Sequence, residues 1–122
     1  MNLFKFFRKR ILSFKSAGEG LLAIVKQEPN ARIHLLATVL VIIAIFIFKL
    51  NLTETLFVIS AVFFVWVAEI FNTSIEEISD FIYPHSHQKI KLIKDLTAGG
   101  VLLSALYAVL VAILIAIARF RG

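Results

Sequence analysis

The residues best suited to chemistry form an acidic stripe that follows a long uncharged segment. Its members, spaced three, four and four residues apart, are Glu69, Asn72, Glu76 and Asp80. At about 100° per residue, this spacing places the side chains on one narrow face of an α-helix. Carboxylates this close repel one another unless a positive group joins them, and charge near hydrocarbon is usually functional. The acidic stripe therefore predicts a site for a cation or for proton transfer.

Glu69 is the deepest member of the acidic stripe, because it directly follows the uncharged run 56–68. A carboxylate at that depth is suited to accepting a proton from a substrate. Asp80 and the nearby Glu77 also fit the ordinary acidic face of a solvated helix end. Chemistry is therefore expected mainly from Glu69 and Glu76.

Charged residues elsewhere in the chain can complete such a site. Lys94 and Asp95 begin the third apolar segment and are expected in the same layer at the membrane boundary. A lysine there suits phosphate, while Asp95 either helps to position it or caps the helix. Glu28, just before the first apolar segment, adds a carboxylate at the same depth. The chain has no cysteine, so its oxygen ligands favour a hard divalent ion, and beside phosphates that ion is Mg²⁺.

The composition indicates that a membrane holds these residues in place. Hydrophobic residues make up 60% of the 122 residues, and the mean hydropathy is +0.92. A soluble domain of this size cannot bury so much apolar surface, whereas a bilayer can. The formal net charge of +5 then favours anionic lipid headgroups or an anionic nucleotide substrate, and not nucleic acid, as the partner.

The hydrophobic pattern predicts an all-α membrane protein with one domain, 1–122. A basic and aromatic segment, 3–26, reads as an amphipathic helix on the membrane surface, interrupted near Gly18–Gly20; a disordered basic tail is the alternative. Thr53 is a plausible cap for the second membrane-spanning helix. The predicted transmembrane helices cover about 33–49, 54–81 and 92–118, the last uncharged from residue 96 onward.

Lysine and arginine residues predict the orientation of the chain. Ten of the thirteen lie within 1–32 and 82–95, and three lie at the opposite ends of the spans. Cytoplasmic loops carry the excess of positive charge, so the N-terminus and the site are expected on the cytoplasmic side of the inner membrane. The C-terminus is then outside.

Gly99 and Gly100 suggest close helix packing. A small-residue face suited to helix association is formed by Gly100, Ser104, Ala108, Ala112 and Ala116.

The segment 69–76, read as E-I-F-N-T-S-I-E, resembles the prokaryotic diacylglycerol kinase family, which includes the undecaprenol kinases. His87, the Lys94-Asp95 pair and the run 98–100 are similar to the family's downstream pattern, and 28–34 is similar to its upstream segment. The resemblance covers nearly the whole chain. Details of 30–34 and of the loop after Tyr83 look closer to the undecaprenol kinase branch. In one branch an acidic residue stands where this chain has His34.

The resemblance implies a homotrimer of three-helix subunits, each with a surface helix, with active sites shared between subunits. It also implies transfer of phosphate from MgATP to a membrane lipid alcohol. By position, Glu69 is implied as the general base and Asn72 as an orienting residue. The implied nucleotide-binding residues are Lys9, Arg10, Glu28, Glu76, Lys94 and Asp95, and of these Glu28 and Glu76 are implied as the Mg²⁺ ligands.

Together these features favour an ATP-dependent lipid kinase acting on diacylglycerol or undecaprenol and feeding phospholipid or lipid-carrier metabolism. The alternative is a small oligomeric transporter or channel with an acidic cation or proton site. Such a path needs polar groups along its length, yet between residues 55 and 68 only Ser60 and Trp66 are even partly polar. A purely structural assembly protein is the third alternative, and the clustered Glu69 and Glu76 argue against it.

Overall fold

The computed structural model describes residues 2–121 and shows an all-α chain with no strand in that range. Its four helices, in chain order, are α1 (Leu3–Gln27), α2 (Pro29–Ile47), α3 (Leu52–Ile82) and α4 (Gln88–Arg121). Each apolar helix extends beyond its predicted limits at one or both ends. The polar residues of the candidate site lie within the predicted limits of α3 and α4.

Helix α1 is continuous, so the prediction of an interruption near Gly18–Gly20 was wrong. The Asn2 side chain caps its start by accepting a hydrogen bond from the Lys5 amide at 2.8 Å. A glycine inside a helix costs only about 0.5–1 kcal/mol relative to alanine. Two such penalties do not break a helix whose remaining residues, including Ala17 and Leu21, are favourable helix formers.

Arg32 of α2 stabilises the corner between α1 and α2 through hydrogen bonds to the end of α1. Glu28 is extended, with φ −107° and ψ 117°, and Pro29 occupies the first turn of α2. The Arg32 guanidinium reaches back and donates to the carbonyl oxygens of Val25 at 3.0 Å and Lys26 at 2.5 Å. These carbonyls belong to the last turn of α1, which lacks intrahelical donors. Arg32 therefore fixes the direction in which the surface helix leaves the first span.

Helix α3 begins with a capping box, and the predicted cap at Thr53 was wrong. The Asn51 side chain accepts from the Glu54 amide at 2.8 Å, and the Glu54 carboxylate accepts from the Asn51 amide at 3.0 Å. This reciprocal pair satisfies two amides at once. The preceding turn places Lys49 at a positive φ of 50°, which sharply reverses the chain between α2 and α3.

The opposite end of α4 returns to this turn. The Arg119 guanidinium donates to the Glu54 carboxylate at 2.7 Å and also to the Phe48 carbonyl oxygen. One side chain thus joins the ends of α2 and α4 to the start of α3. We refer to the region of Phe48, Glu54 and Arg119 as the outer end of the bundle.

Helices α3 and α4 pack along much of their length, and α2 contacts α3 less extensively. Between α3 and α4, the Ser60 and Tyr107 hydroxyls are 3.1 Å apart. Between α2 and α3, the Trp66 indole N–H donates to the Thr38 hydroxyl at 2.8 Å. Polar side chains within the spans therefore pair with each other between helices.

The three long apolar helices make this a multi-pass membrane protein. Helices α2, α3 and α4 contain 19, 31 and 34 residues and are each apolar enough to span a bilayer. Most of their large hydrophobic side chains face outward in the single chain, as expected for surfaces that contact lipid or other subunits. At about 1.5 Å per residue, α3 and α4 exceed a hydrocarbon core of about 30 Å by several turns.

The glycine pair of α4 does not support close packing within one chain. No neighbouring atom lies within 4 Å of the position that a Cβ would take at Gly99 or Gly100. The close helix packing predicted there is therefore absent within the chain. This side of α4 remains open to a second molecule.

Candidate active site

Glu69 is the most deeply buried charged residue of the described chain. Its exposed fraction is 2%, although it lies on a helix whose neighbouring apolar side chains are largely exposed. One carboxylate oxygen lies 3.4 Å from Nε2 of His34 on α2. The carboxylate that the sequence singled out as deepest is therefore withdrawn from solvent and faces an imidazole.

Asn72 and Glu76 follow Glu69 along the same face of α3. Asn72 is 8% exposed, and its amide nitrogen lies 3.4 Å from a Glu76 carboxylate oxygen. The amide oxygen of Asn72 is buried and has no hydrogen-bond partner within residues 2–121. A buried acceptor without a donor is unfavourable unless a further group binds it. The structure thus brings a carboxylate and an unsatisfied amide oxygen together.

These oxygens fit part of the coordination shell of Mg²⁺. Such ions are usually held by one or two carboxylates together with substrate phosphates and water, and not by a complete cage of protein ligands. The described residues contain no cluster of three or more histidine, cysteine or acidic side chains. Glu28, the other predicted ligand, is half-buried at the corner between α1 and α2. It makes no hydrogen bond through its side chain within residues 2–121.

Lys94 lies opposite the end of the acidic stripe. Its ammonium group donates to the Asp80 carboxylate at 2.6 Å, and Glu76 is close enough to attract it electrostatically. This ion pair joins α3 to α4 at the membrane boundary. A basic side chain is thus already held beside the acidic stripe, where phosphate would require it.

Asp95 pairs with Lys91 and not with Lys94. It accepts from Lys91, one turn earlier on α4, at 2.6 Å, and this hydrogen bond raises the pKa of Lys91. Because α4 begins at Gln88, Asp95 lies in the second turn of the helix and does not cap it. The alternative prediction of a capping role was therefore wrong. The structure does not pair Asp95 with Lys94.

A surface pocket of about 590 Å³ lies beside these residues. Lys94 and Asp95 line it together with the loop that contains His85 and His87. The Tyr83 ring makes edge-to-face contacts with both histidines, with centroid distances of 5.8 and 5.6 Å. The loop is therefore ordered by aromatic contacts at the mouth of the pocket.

Lys9 and Arg10 lie on the exposed part of α1, away from the acidic stripe within a single chain. The Lys9 carbonyl accepts from Ser13 at 3.0 Å, and the Arg10 guanidinium lies over the Phe6 ring at 5.1 Å. Neither basic side chain makes a hydrogen bond or ion pair with the site residues in the described part of the chain. Their predicted contact with nucleotide remains a prediction.

An apolar groove of about 810 Å³ runs between α2 and α3 and is bordered by α1. Its lining reaches from Leu21 on α1 to Phe46 and Thr55 near the outer end. The remaining lining residues are Val25, Thr38, Val41, Ile42, Ile45, Ile59, Val62, Phe63, Trp66, Val67 and Ile70. Trp66 and Ile70 of α3 line this end of the groove, and Glu69 lies between them in the chain without lining the groove itself.

Several residues around this site were not predicted from the sequence. No role was predicted for His34 or Thr38 of α2. His34 contacts Glu69, and Thr38 contacts Trp66. Thr73 has a buried hydroxyl without a partner within residues 2–121, and Asp80, a member of the predicted acidic stripe, was not expected to pair with Lys94. The four-residue spacing of His34 and Thr38 on one helix face was the available signal.

The fold and the site together define a multi-pass membrane protein with an acidic and lysine-containing cluster between two of its long apolar helices. The family model of the prokaryotic diacylglycerol kinases matches residues 15–116, and the chain belongs to that family. A similar protein, named diacylglycerol kinase, comes from Synechocystis sp. and is 32% identical over 102 residues. That match covers 83% of this chain and 58% of the relative.

Proposed function

We propose that the protein is a lipid kinase that transfers the γ-phosphate of ATP to the hydroxyl of a membrane lipid alcohol. The observation that carries the proposal is the buried carboxylate of Glu69, on the same stretch of α3 as Trp66 and Ile70, which line the apolar groove. A lipid whose chain occupied the groove would bring its polar end to this carboxylate. Family membership and the name of the similar protein support the same class of reaction.

The proposed reaction forms one P–O bond and breaks another. Glu69 accepts the proton of the lipid hydroxyl as its oxygen attacks the γ-phosphorus, and the bond to the β-phosphate oxygen breaks to release ADP. Phosphoryl transfer needs little more from a protein than positioning, charge neutralisation and orientation of the nucleophile. Asn72, next along the stripe, is proposed to orient the reacting groups.

The polar end of the site is proposed to bind MgATP. Glu76 and Glu28, with the unsatisfied amide oxygen of Asn72, would hold Mg²⁺, which supplies neutralisation of phosphate charge when bound. Lys94 would exchange its Asp80 partner for a phosphate. Asp95, Lys9 and Arg10 complete the proposed nucleotide site.

The assembly and orientation are also proposals. The open small-residue face of α4 supports self-association, and we propose a homotrimer with shared active sites. The charge distribution supports an inner-membrane protein whose N-terminus and site lie on the cytoplasmic side, where ATP is present, with the C-terminus outside. The substrate is proposed to be diacylglycerol or undecaprenol, both of which present a hydroxyl at the membrane boundary.

A transporter or channel is less well supported by the geometry. The hydroxyls of Ser60 and Tyr107 pair with each other, and the Trp66 indole pairs with Thr38. Polar groups that satisfy one another between packed helices do not form a hydrated path. A transport path would require them to face a common polar channel.

The deciding experiment offers labelled ATP together with diacylglycerol or undecaprenol to the purified protein in mixed micelles. We expect a labelled phospholipid product from at least one lipid, dependent on Mg²⁺. The Glu69→Gln variant, purified in parallel, controls for a contaminating host kinase. Absence of product from both lipids would refute the proposed function.

A further inference from the structure

The contact of interest joins His34 of α2 to Glu69 of α3. Nε2 of His34 is 3.4 Å from the Glu69 carboxylate, and the two side chains are 20% and 3% exposed. Within residues 2–121, the Glu69 carboxylate makes no conventional hydrogen bond. His34 is therefore the polar side chain that the structure places against it.

A network of hydrogen bonds holds the histidine in this place. The Thr38 hydroxyl donates to the His34 carbonyl oxygen at 2.7 Å and accepts from the Trp66 indole N–H at 2.8 Å. The His34 and Trp66 rings also meet edge to face, with a centroid distance of 6.2 Å. Trp66 lies one turn before Glu69, so the network ties the backbone and ring of His34 to the same stretch of α3.

This arrangement differs from a fortuitous surface pair. Helix α2 contacts α3 less extensively than α4 does, yet both polar links between α2 and α3 lie around Glu69. A buried carboxylate that lacks other donors is free to change rotamer unless a neighbour fixes it. Nε2 of His34, on the opposite helix, is the polar atom placed to supply that restraint. Catalytic hydrogen bonds are often long without substrate and shorten in the reacting complex.

We propose that His34 is a positioning residue that orients Glu69 toward the lipid hydroxyl. The proposal rests on the proposed function, in which Glu69 accepts the substrate proton. In this role His34 contacts Glu69 and touches neither ATP nor the lipid. Misplacement of a catalytic group by about 1 Å can lower a rate about 10²-fold. Loss of the restraint should therefore lower kcat strongly and leave the KM for ATP nearly unchanged.

Two substitutions of equal length separate positioning from packing. His34→Gln retains an N–H donor near the place of Nε2, whereas His34→Met has a similar length and no donor. We expect His34→Met to lower kcat by about 10- to 100-fold and His34→Gln to restore much of the loss. If histidine only fills space, Met should perform as well as Gln. His34→Asn, which is polar but too short to reach, replaces Met if that variant does not fold.

A double-mutant cycle then tests whether His34 acts through Glu69. In the Glu69→Gln background, where no proton acceptor remains, His34→Met should cause little further loss of kcat. In the matched background Glu77→Gln, an exposed acid on the same helix, His34→Met should have its full effect. Interacting residues give non-additive effects, and independent ones add.

The outcomes distinguish this inference from the function on which it rests. If the unmodified protein phosphorylates neither lipid, the proposed function fails and the inference fails with it. If the unmodified protein is active but His34→Met has equal effects in both backgrounds, the positioning role alone is refuted. Equal activity of the His34→Met and His34→Gln variants would refute it as well. Non-additivity with Glu69, together with rescue by glutamine, would establish it.

Discussion

Replacement of Glu69 by glutamine isolates proton acceptance from the other roles of the site. The side chain is 3% exposed, so a substitution that preserved charge but changed size would disturb packing. Glutamine keeps the size and an oxygen that can accept from His34, but it cannot take a proton from an alcohol. The change therefore removes one chemical property and leaves the surroundings of the side chain nearly intact.

The expected effects on turnover and on nucleotide binding differ in size. General-base assistance is typically worth about 10²- to 10⁴-fold, or about 2.7–5.4 kcal/mol of activation free energy. Nucleotide affinity should respond less. Glu69 is seven residues from Glu76, or about 10 Å along the helix axis. At that distance, with an effective dielectric constant of about 20 inside the protein, one charge contributes about 1.7 kcal/mol, which corresponds to a factor of about 17. Since the lost charge is negative and ATP is an anion, the change should favour binding.

The assay compares Glu69→Gln with Glu77→Gln, an exposed acid on the same helix. Turnover is measured at saturating lipid and ATP, and nucleotide affinity is measured separately on the same preparations. We expect kcat to collapse in the first variant and to stay near that of the unmodified protein in the second. An interaction lost only in the transition state lowers kcat without weakening substrate binding.

A particular pattern would refute this reasoning. If Glu69→Gln lost nucleotide binding while it kept turnover at saturation, Glu69 would belong to the nucleotide site. If both glutamine variants lost turnover equally, the effect would reflect the general charge of α3 and not a base at position 69.

Further predictions concern the nucleotide site, the outer end and the orientation of the chain. Glu76→Gln should raise both the KM for ATP and the Mg²⁺ concentration needed for activity while the protein remains folded; unchanged Mg²⁺ dependence would exclude it as a ligand. Lys94→Met should raise the KM for ATP about ten-fold or more, whereas Lys89→Met serves as the matched control and should not. Arg119→Met should lower the thermal midpoint in detergent and Arg121→Met should not; equal midpoints would show that the link at the outer end adds no stability. A reporter fused to the C-terminus should be active outside the cytoplasm, and activity only inside would contradict the three-span orientation.

Much of the fold follows from the sequence because the bilayer imposes simple requirements. A span must be apolar and long and must satisfy its own backbone, so composition and length predict the helices. The position of the α3 cap and the continuity of α1 were harder to predict from the sequence. Asn51 and Thr53 are both good capping residues, and the reciprocal bond with Glu54 decides between them. The glycines at 18 and 20 signal a break that a helix of 25 residues readily absorbs.

In the candidate site, features that depend on one helix were predictable from the sequence, whereas contacts between helices were not. The spacing of Glu69, Asn72 and Glu76 predicts a shared face because it depends on one helix alone. The partners of that face depend on how separate helices meet. Lys94 was expected beside phosphate, but its pairing with Asp80 joins residues 14 positions apart. The contact of His34 with Glu69 depends on the rotation of α2, which a periodic pattern does not define.

The unequal packing of the spans has a mechanical consequence. Helices α3 and α4 share an extensive interface and are joined by Arg119 at the outer end, whereas α2 contacts α3 more sparingly. Under a pulling force applied at the termini, we expect α2 to leave the bilayer as a separate event at lower force, followed by α3 and α4 together. Extraction of single molecules with a force probe would resolve these steps, and simultaneous release of all spans would contradict the expectation. The apolar groove between α2 and α3 would then open by displacement of α2 while the other two spans remain a rigid support.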